Sequence, residues 1–268
     1  MTISGCNAIA LNSIQFNLAQ VIGPFVAGAA LAAFGMVACF GLNGISFLFV
    51  IAAILALRGV QVPAMAGESM VAQFSDGLQF VQGSSNLRTV MALGFFVAFL
   101  GTPLLTFLPV ITREVFHRDI GFYTQLMTFS GAGAVMGAVI VAWLGKSRRL
   151  GRILLILLTL FGMIMVGFGL SRKTSLSALI LFTGGSLFVM CSSLTTSLAQ
   201  LLAPPEFRGR VVSLFLVAIL GGSPLGGLSC GWLVTRVGSA PVMLMVNGTA
   251  LTLIGLYFLI QGQGLKDF

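Results

Sequence analysis

AQVIGPFVAGAALAAFG, residues 19–35, is answered near the other end of the chain by LGGSPLGGLSCGWLVTRVG, residues 220–238. In each copy a Gly or Ser precedes a proline, small residues follow, and an Asn comes further on: Pro24 then Asn43, Pro224 then Asn247. A proline inside a helix removes a backbone donor and bends the helix, while small residues let a neighbour approach closely. If the two stretches are corresponding helices in two halves of a duplicated membrane protein, the distance from Pro24 to Pro224 counts the helices between them.

Composition supports the membrane setting. Hydrophobic residues make up 57% of the chain, charged residues 7%, and mean hydropathy is +1.07. In soluble domains about a quarter of residues are charged. The charges are also segregated: none occurs in 1–57, 89–112, 120–145, 153–171, 174–205, 211–235 or 237–265. A helix crosses the hydrocarbon core with about 20 apolar residues, so each run holds one span or a pair. Eight spans are expected, at 12–33, 38–57, 90–111, 123–144, 153–170, 176–202, 211–234 and 242–260. The runs are too long and continuous for the alternating ~10-residue segments of a membrane barrel. The expected class is an all-α polytopic membrane protein.

Loop charge sets the expected orientation. With the N-terminus in the cytoplasm, the inner segments hold Arg58, Arg88, Lys146, Arg148, Arg149, Arg152, Arg208, Arg210 and Lys266, against Arg113, Arg118, Arg172, Lys173 and Arg236 outside. That excess places both termini inside, and the cytoplasmic basic loop Lys146, Arg148, Arg149 and Arg152 weighs most. The net charge of +8 is accounted for by this bias, and with no basic patch interleaved with aromatics, nucleic acid is not an expected partner. The longest connection, 58–89, carries Met70, Phe74, Leu78 and Val81 at helical spacing. This fits an amphipathic helix in the cytoplasmic interface, the alternative being a flexible linker.

Two polar stripes mark candidate faces. Ser13, Asn17, Gln20, Pro24 and Gly28 share one side of the first span, and Thr183, Ser186, Met190, Ser193, Ser197 and Gln200 one side of the sixth. Such stripes point into the bundle, either toward a hydrated cavity or into interhelical hydrogen bonds. Gly23, Pro24 and Gly28 fit bending and packing or, less directly, substrate contact. Gly133 and Gly137 form a GxxxG element offering a close helix contact. No ionisable residue lies at the centre of a span, so no proton-coupling site is evident. Catalysis is not indicated: no HExxH occurs, and Ser223 has no histidine partner in another span. Cys6, Cys39, Cys191 and Cys230 lack the CxxC spacing of a metal site. No metal or cofactor is expected.

The stretch ALNSIQFNLAQVIGPFVAG, residues 10–28, resembles the fifth helix of major facilitator superfamily exporters, with its GPxxGG-type antiporter motif. DGLQFVQGSSNLRTV, residues 76–90, is similar to the entry of the seventh helix in the drug and siderophore exporter branch. APPEFRGRVVSLF, residues 203–215, is similar to its loop between helices ten and eleven. GKSRRLGR, residues 145–152, is similar to the second copy of the superfamily's loop motif. The resemblance covers nearly the whole chain and implies a major facilitator-type bundle of twelve helices in two six-helix halves. The eight spans then correspond to helices five to twelve, and the chain starts after the first four. The implied division is 1–57 for the last two helices of the N-terminal half, 58–89 for the central loop, and 90–268 for the C-terminal half.

The resemblance implies an exporter of a small molecule such as a drug or siderophore, in the inner membrane, working by alternating access and proton antiport. Its partners would be the substrate, the bilayer and a proton gradient. The expected cavity residues are Asn17, Gln20, Thr183, Ser186, Ser193, Ser197 and Gln200. Gly23, Pro24, Gly28, Gly133, Gly137 and Pro224 are expected to serve motif and packing roles, mainly where the halves meet. The alternatives are a scaffold or permease subunit of a larger assembly, or an uptake carrier of the same fold.

Overall fold

The computed structural model of the chain describes residues 34–35, 37–56, 70–144, 149–204 and 206–261. These residues are helical nearly throughout, and seven helices are long and apolar enough to cross a membrane. They lie at Val37–Ala56, Ser85–Glu114, Ile120–Leu144, Leu150–Leu170, Thr174–Leu202, Arg208–Val237 and Ala240–Gln261. These are the seven later spans expected from the charge-free runs, and the expected first span, 12–33, lies outside the described residues. Most are longer than read from hydropathy, because a helix continues past the hydrocarbon edge into the polar zone where its end charges sit.

The chain divides between Ala72 and Gln73 into two compact units. In the first, α1 is Val37–Ala56. The second contains nearly all of α2, Met70–Gly83, and the rest: α3, Ser85–Phe96; a π-helical turn, Val97–Gly101; α4, Pro103–Thr106; α5, Leu108–Glu114; α6, Ile120–Leu144; α7, Leu150–Leu170; α8, Thr174–Leu202; α9, Arg208–Val237; and α10, Ala240–Gln261. Helices α3 to α5 with the π turn form a single crossing. Ser84 starts it, its hydroxyl accepting from the Leu87 N–H at 3.4 Å. At the far end of α9, Gly238 takes the left-handed conformation (φ 73°) and donates to the Val234 carbonyl at 2.8 Å, the usual glycine stop.

Within the second unit α6 lies along α8, α7 lies between α8 and α10, and the α3 crossing packs on α8 and α9. Lipid tails are as apolar as leucine, so close fit rather than escape from water holds such helices together. Two seams achieve it by omitting side chains. Along α6, a Cβ added to Gly133 would overlap the Phe182 carbonyl of α8, and one added to Gly137 would overlap that of Ser186. Gly185 of α8 answers against the Ser130 carbonyl of α6. Between α7 and α10, Gly162 and Gly248 each face the other's carbonyl. The leucine-rich core lies between these seams, with Leu93, Leu108, Leu154, Leu158, Phe161 and Leu194 at most 1% exposed.

A smaller cluster forms at one end of the bundle. Val81 and Leu87 pack with Ala203, Val211 and Leu214. The helix expected around Phe74 and Leu78 is present as α2; Phe74 and Leu78 are 53% and 41% exposed, and the side bearing Gly77, Phe80 and Val81 meets α9. Gly77 fits that side to α9: a Cβ added there would stand 3.1 Å from the Arg210 Cβ and 3.2 Å from Leu214.

Candidate functional site

A cavity of about 340 Å³ opens among the α3 crossing, α8 and α9. Each helix presents one face to it. The α3 crossing contributes Gly94, Val97, Ala98 and Thr102; α8 contributes Phe188, Ser192 and Thr195; α9 contributes Ile219, Leu220, Ser223 and Pro224. The spacing along α8 is four then three residues, that of a single helix face.

The α3 side is shaped by the π turn. Pro103 lacks an N–H and its ring crowds the carbonyl four residues earlier, that of Phe99, so a regular α-helix cannot continue through it. The chain widens into a π turn at Val97–Gly101, a one-turn irregularity often found at functional sites. The displaced carbonyls are accommodated by neighbours. Phe99's faces Gly226 of α9, where a Cβ would overlap it, and Leu100's accepts from the side-chain amide of Asn247 at 3.3 Å. Asn247 is 2% exposed and also donates to the Cys230 sulfur at 3.1 Å. The Asn that followed Pro224 in the opening repeat is therefore a brace for the cavity wall.

The chemistry of the cavity is apolar with a few hydroxyls. Thr195 turns its hydroxyl back to the Cys191 and Ser192 carbonyls, at 2.8 and 2.9 Å. The hydroxyls of Thr102, Ser192 and Ser223 have no partner among the described residues and remain available to a ligand. Among the described residues that line the cavity there is no Asp, Glu, Lys, Arg or His. Among the described residues no group of three or more His, Cys, Asp or Glu is placed to hold a metal.

The expected stripe on α8 lies beside this face rather than on it. Ser186 is 8% exposed, with its hydroxyl 3.8 Å from the Met190 sulfur, and its carbonyl is pressed against Gly137. Close packing with α6 holds it there. Thr183 donates to the Leu179 carbonyl at 3.0 Å; Ser193 and Ser197 are half-buried and Gln200 is exposed. None of the five lines the cavity described above. Gly133 and Gly137 pack against α8 inside the second unit. Pro224 does border the cavity. Arg149 and Arg152 are exposed at the start of α7. Asn17, Gln20, Gly23, Pro24, Gly28, Lys146 and Arg148 lie outside the described residues.

With this geometry, comparison with known proteins decides the family. The pattern of the transmembrane secretion effectors matches residues 4–263. The chain belongs to that family of the major facilitator superfamily. It is therefore a multi-pass helical membrane protein of a transporter family. Over 267 residues it is 26% identical to the enterobactin exporter EntS of Shigella boydii serotype 18 and to that of Escherichia coli strain K12, covering 97% of this chain. The chain spans 62% of the length of these relatives.

Ser192 and Thr195 were legible as polar residues but not as cavity residues. The run CSSLTTS, 191–197, puts hydroxyls on every side of α8, and periodicity cannot choose among faces that are all polar. The spacing Phe188, Ser192, Thr195 was an equally good stripe.

Proposed function

We propose that the protein exports a small, largely apolar molecule across the inner membrane by alternating access, as the C-terminal part of a major facilitator transporter. On this reading 1–57 are the last two helices of the N-terminal half, 58–89 the cytoplasmic central loop and 90–268 the six-helix C-terminal half, with both termini in the cytoplasm. The observation that carries it is the cavity walled by the α3 crossing, α8 and α9, apolar but supplied with three unengaged hydroxyls. The family and the resemblance to enterobactin exporters support the outward direction and a siderophore or drug as cargo. Proton exchange as the energy source is inferred from the family alone.

The test is efflux from cells expressing the protein, with secretion of enterobactin and loss of a preloaded lipophilic dye followed in parallel. Ser192→Phe fills the cavity from α8 without touching either glycine seam. It is expected to lower efflux about tenfold, a change equivalent to ~1.4 kcal/mol in the transport barrier, at unchanged membrane abundance. Efflux equal to the parent would remove the cavity from the pathway. Greater dye accumulation on expression of the parent would instead mark an uptake carrier.

A further inference from the structure

We propose that α2 is mounted rigidly on the first turns of α9, so that displacement of the chain entering α2 is delivered to the cavity wall. This rests on the transport reading above. Three kinds of contact make the joint. Gly77 lies so near α9 that an added Cβ would stand 3.1 Å from the Arg210 Cβ and 3.2 Å from Leu214. The rings of Phe80 and Phe207 stack, centroids 4.6 Å apart and planes 8° from parallel. The Arg210 guanidinium lies 5.5 Å from the centre of the Phe207 ring and 3.5 Å from the Asp76 carboxylate.

The joint behaves as a solid rather than as a switch. Asp76 and Arg210 are partly exposed, 49% and 31%, and a pair so wetted adds direction more than strength. What holds α2 is the glycine approach, the stacked rings and the buried cluster of Val81, Leu87, Val211 and Leu214. The buried cluster beneath the joint is close-packed, and close packing transmits displacement. From Arg210 to Ile219 the α9 helix runs for roughly 14 Å at 1.5 Å per residue before the turn that Pro224 weakens, which begins at the Leu220 carbonyl. A tilt imposed at α2 therefore arrives at Ile219, which faces the cavity.

Cysteines at Gly77 and Arg210, in the protein carrying Cys6→Ser and Cys39→Ser, test the joint directly. The Cβ separation lies a few tenths of an ångström below the usual disulfide range of about 3.5–4.5 Å, so a bond forms with little adjustment. The oxidised protein is expected to export dye as fast as the same protein reduced. Export lost on oxidation and regained with reductant would overturn the proposal, because the contact would then have to open. Phe80→Ala is expected to lower export about fivefold or more with the melting temperature retained; full export at unchanged stability would also overturn it. Spin labels at Gln79 and Val217 give a readout independent of export: one distance distribution, the same with and without enterobactin or dye. A distribution that shifts or splits overturns the mount, whereas an unchanged distance in a protein that exports nothing would count against the transport reading alone.

Discussion

Gly133→Leu is expected to destabilise the protein by about 3 kcal/mol, more than any other single change considered. Overpacking a well-fitted interior costs about 1–3 kcal/mol when side chains can shift. Here the obstacle is the Phe182 carbonyl of α8, part of a backbone ladder that cannot rotate away. Helices α6 and α8 would have to separate, and the separation would also open the reciprocal contact between Gly185 and Ser130. Gly131, two residues away on the same helix, provides the control. A Cβ there meets nothing within 4 Å, so Gly131→Leu is expected to stay within about 0.5 kcal/mol of the parent. Thermal unfolding in detergent compares the two directly. Equal melting temperatures would mean that α6 and α8 are not held by this seam.

The seam illustrates what the sequence could reveal. A GxxxG element announces close approach but not the partner, because small residues also occur on the first span, on α8 and on α9. The partner is fixed by the reciprocal glycine, Gly185, which lies in the pair Gly184-Gly185 and gave no spacing signal of its own. The six spans from Ser85 onward were plainly legible, since each is bounded by charges that cannot enter hydrocarbon cheaply. Helix α2 was legible as a helix, but not its buried side, because Gly77 contributes no hydrophobicity to the pattern that was read. The family was legible in residues 10–28, 76–90 and 203–215. The cavity face of α8 was not, for the reason given by its uniformly hydroxylated turn.

The π turn was invisible for a different reason: it is a compromise between Pro103 and two residues far away in sequence. Asn247→Leu keeps the bulk of the side chain and removes the donor to the Leu100 carbonyl. Left without a donor, the buried acceptor is expected to cost about 1–3 kcal/mol, read as a lowered melting temperature. Pro103→Ala restores the N–H that proline lacks. A continuous α ladder then serves the carbonyls of the turn from the backbone, Leu100's from the Leu104 N–H. The loss caused by Asn247→Leu is therefore expected to shrink in the Pro103→Ala background, a non-zero coupling in the double-mutant cycle; strict additivity would break the link between the two residues. The same change has a functional signature. Removing one residue's worth of π turn rotates the helix beyond it by roughly 100°, the angle per residue of an α-helix. Either the Thr102 hydroxyl or the Gly94 and Val97 face would then leave the cavity that both now line. Pro103→Ala alone should accordingly impair export, and because Leu104, Leu108 and Ile111 beyond the turn are buried, the rotation is expected to lower the melting temperature as well. An alanine variant that exports normally would show that the cavity does not depend on the turn.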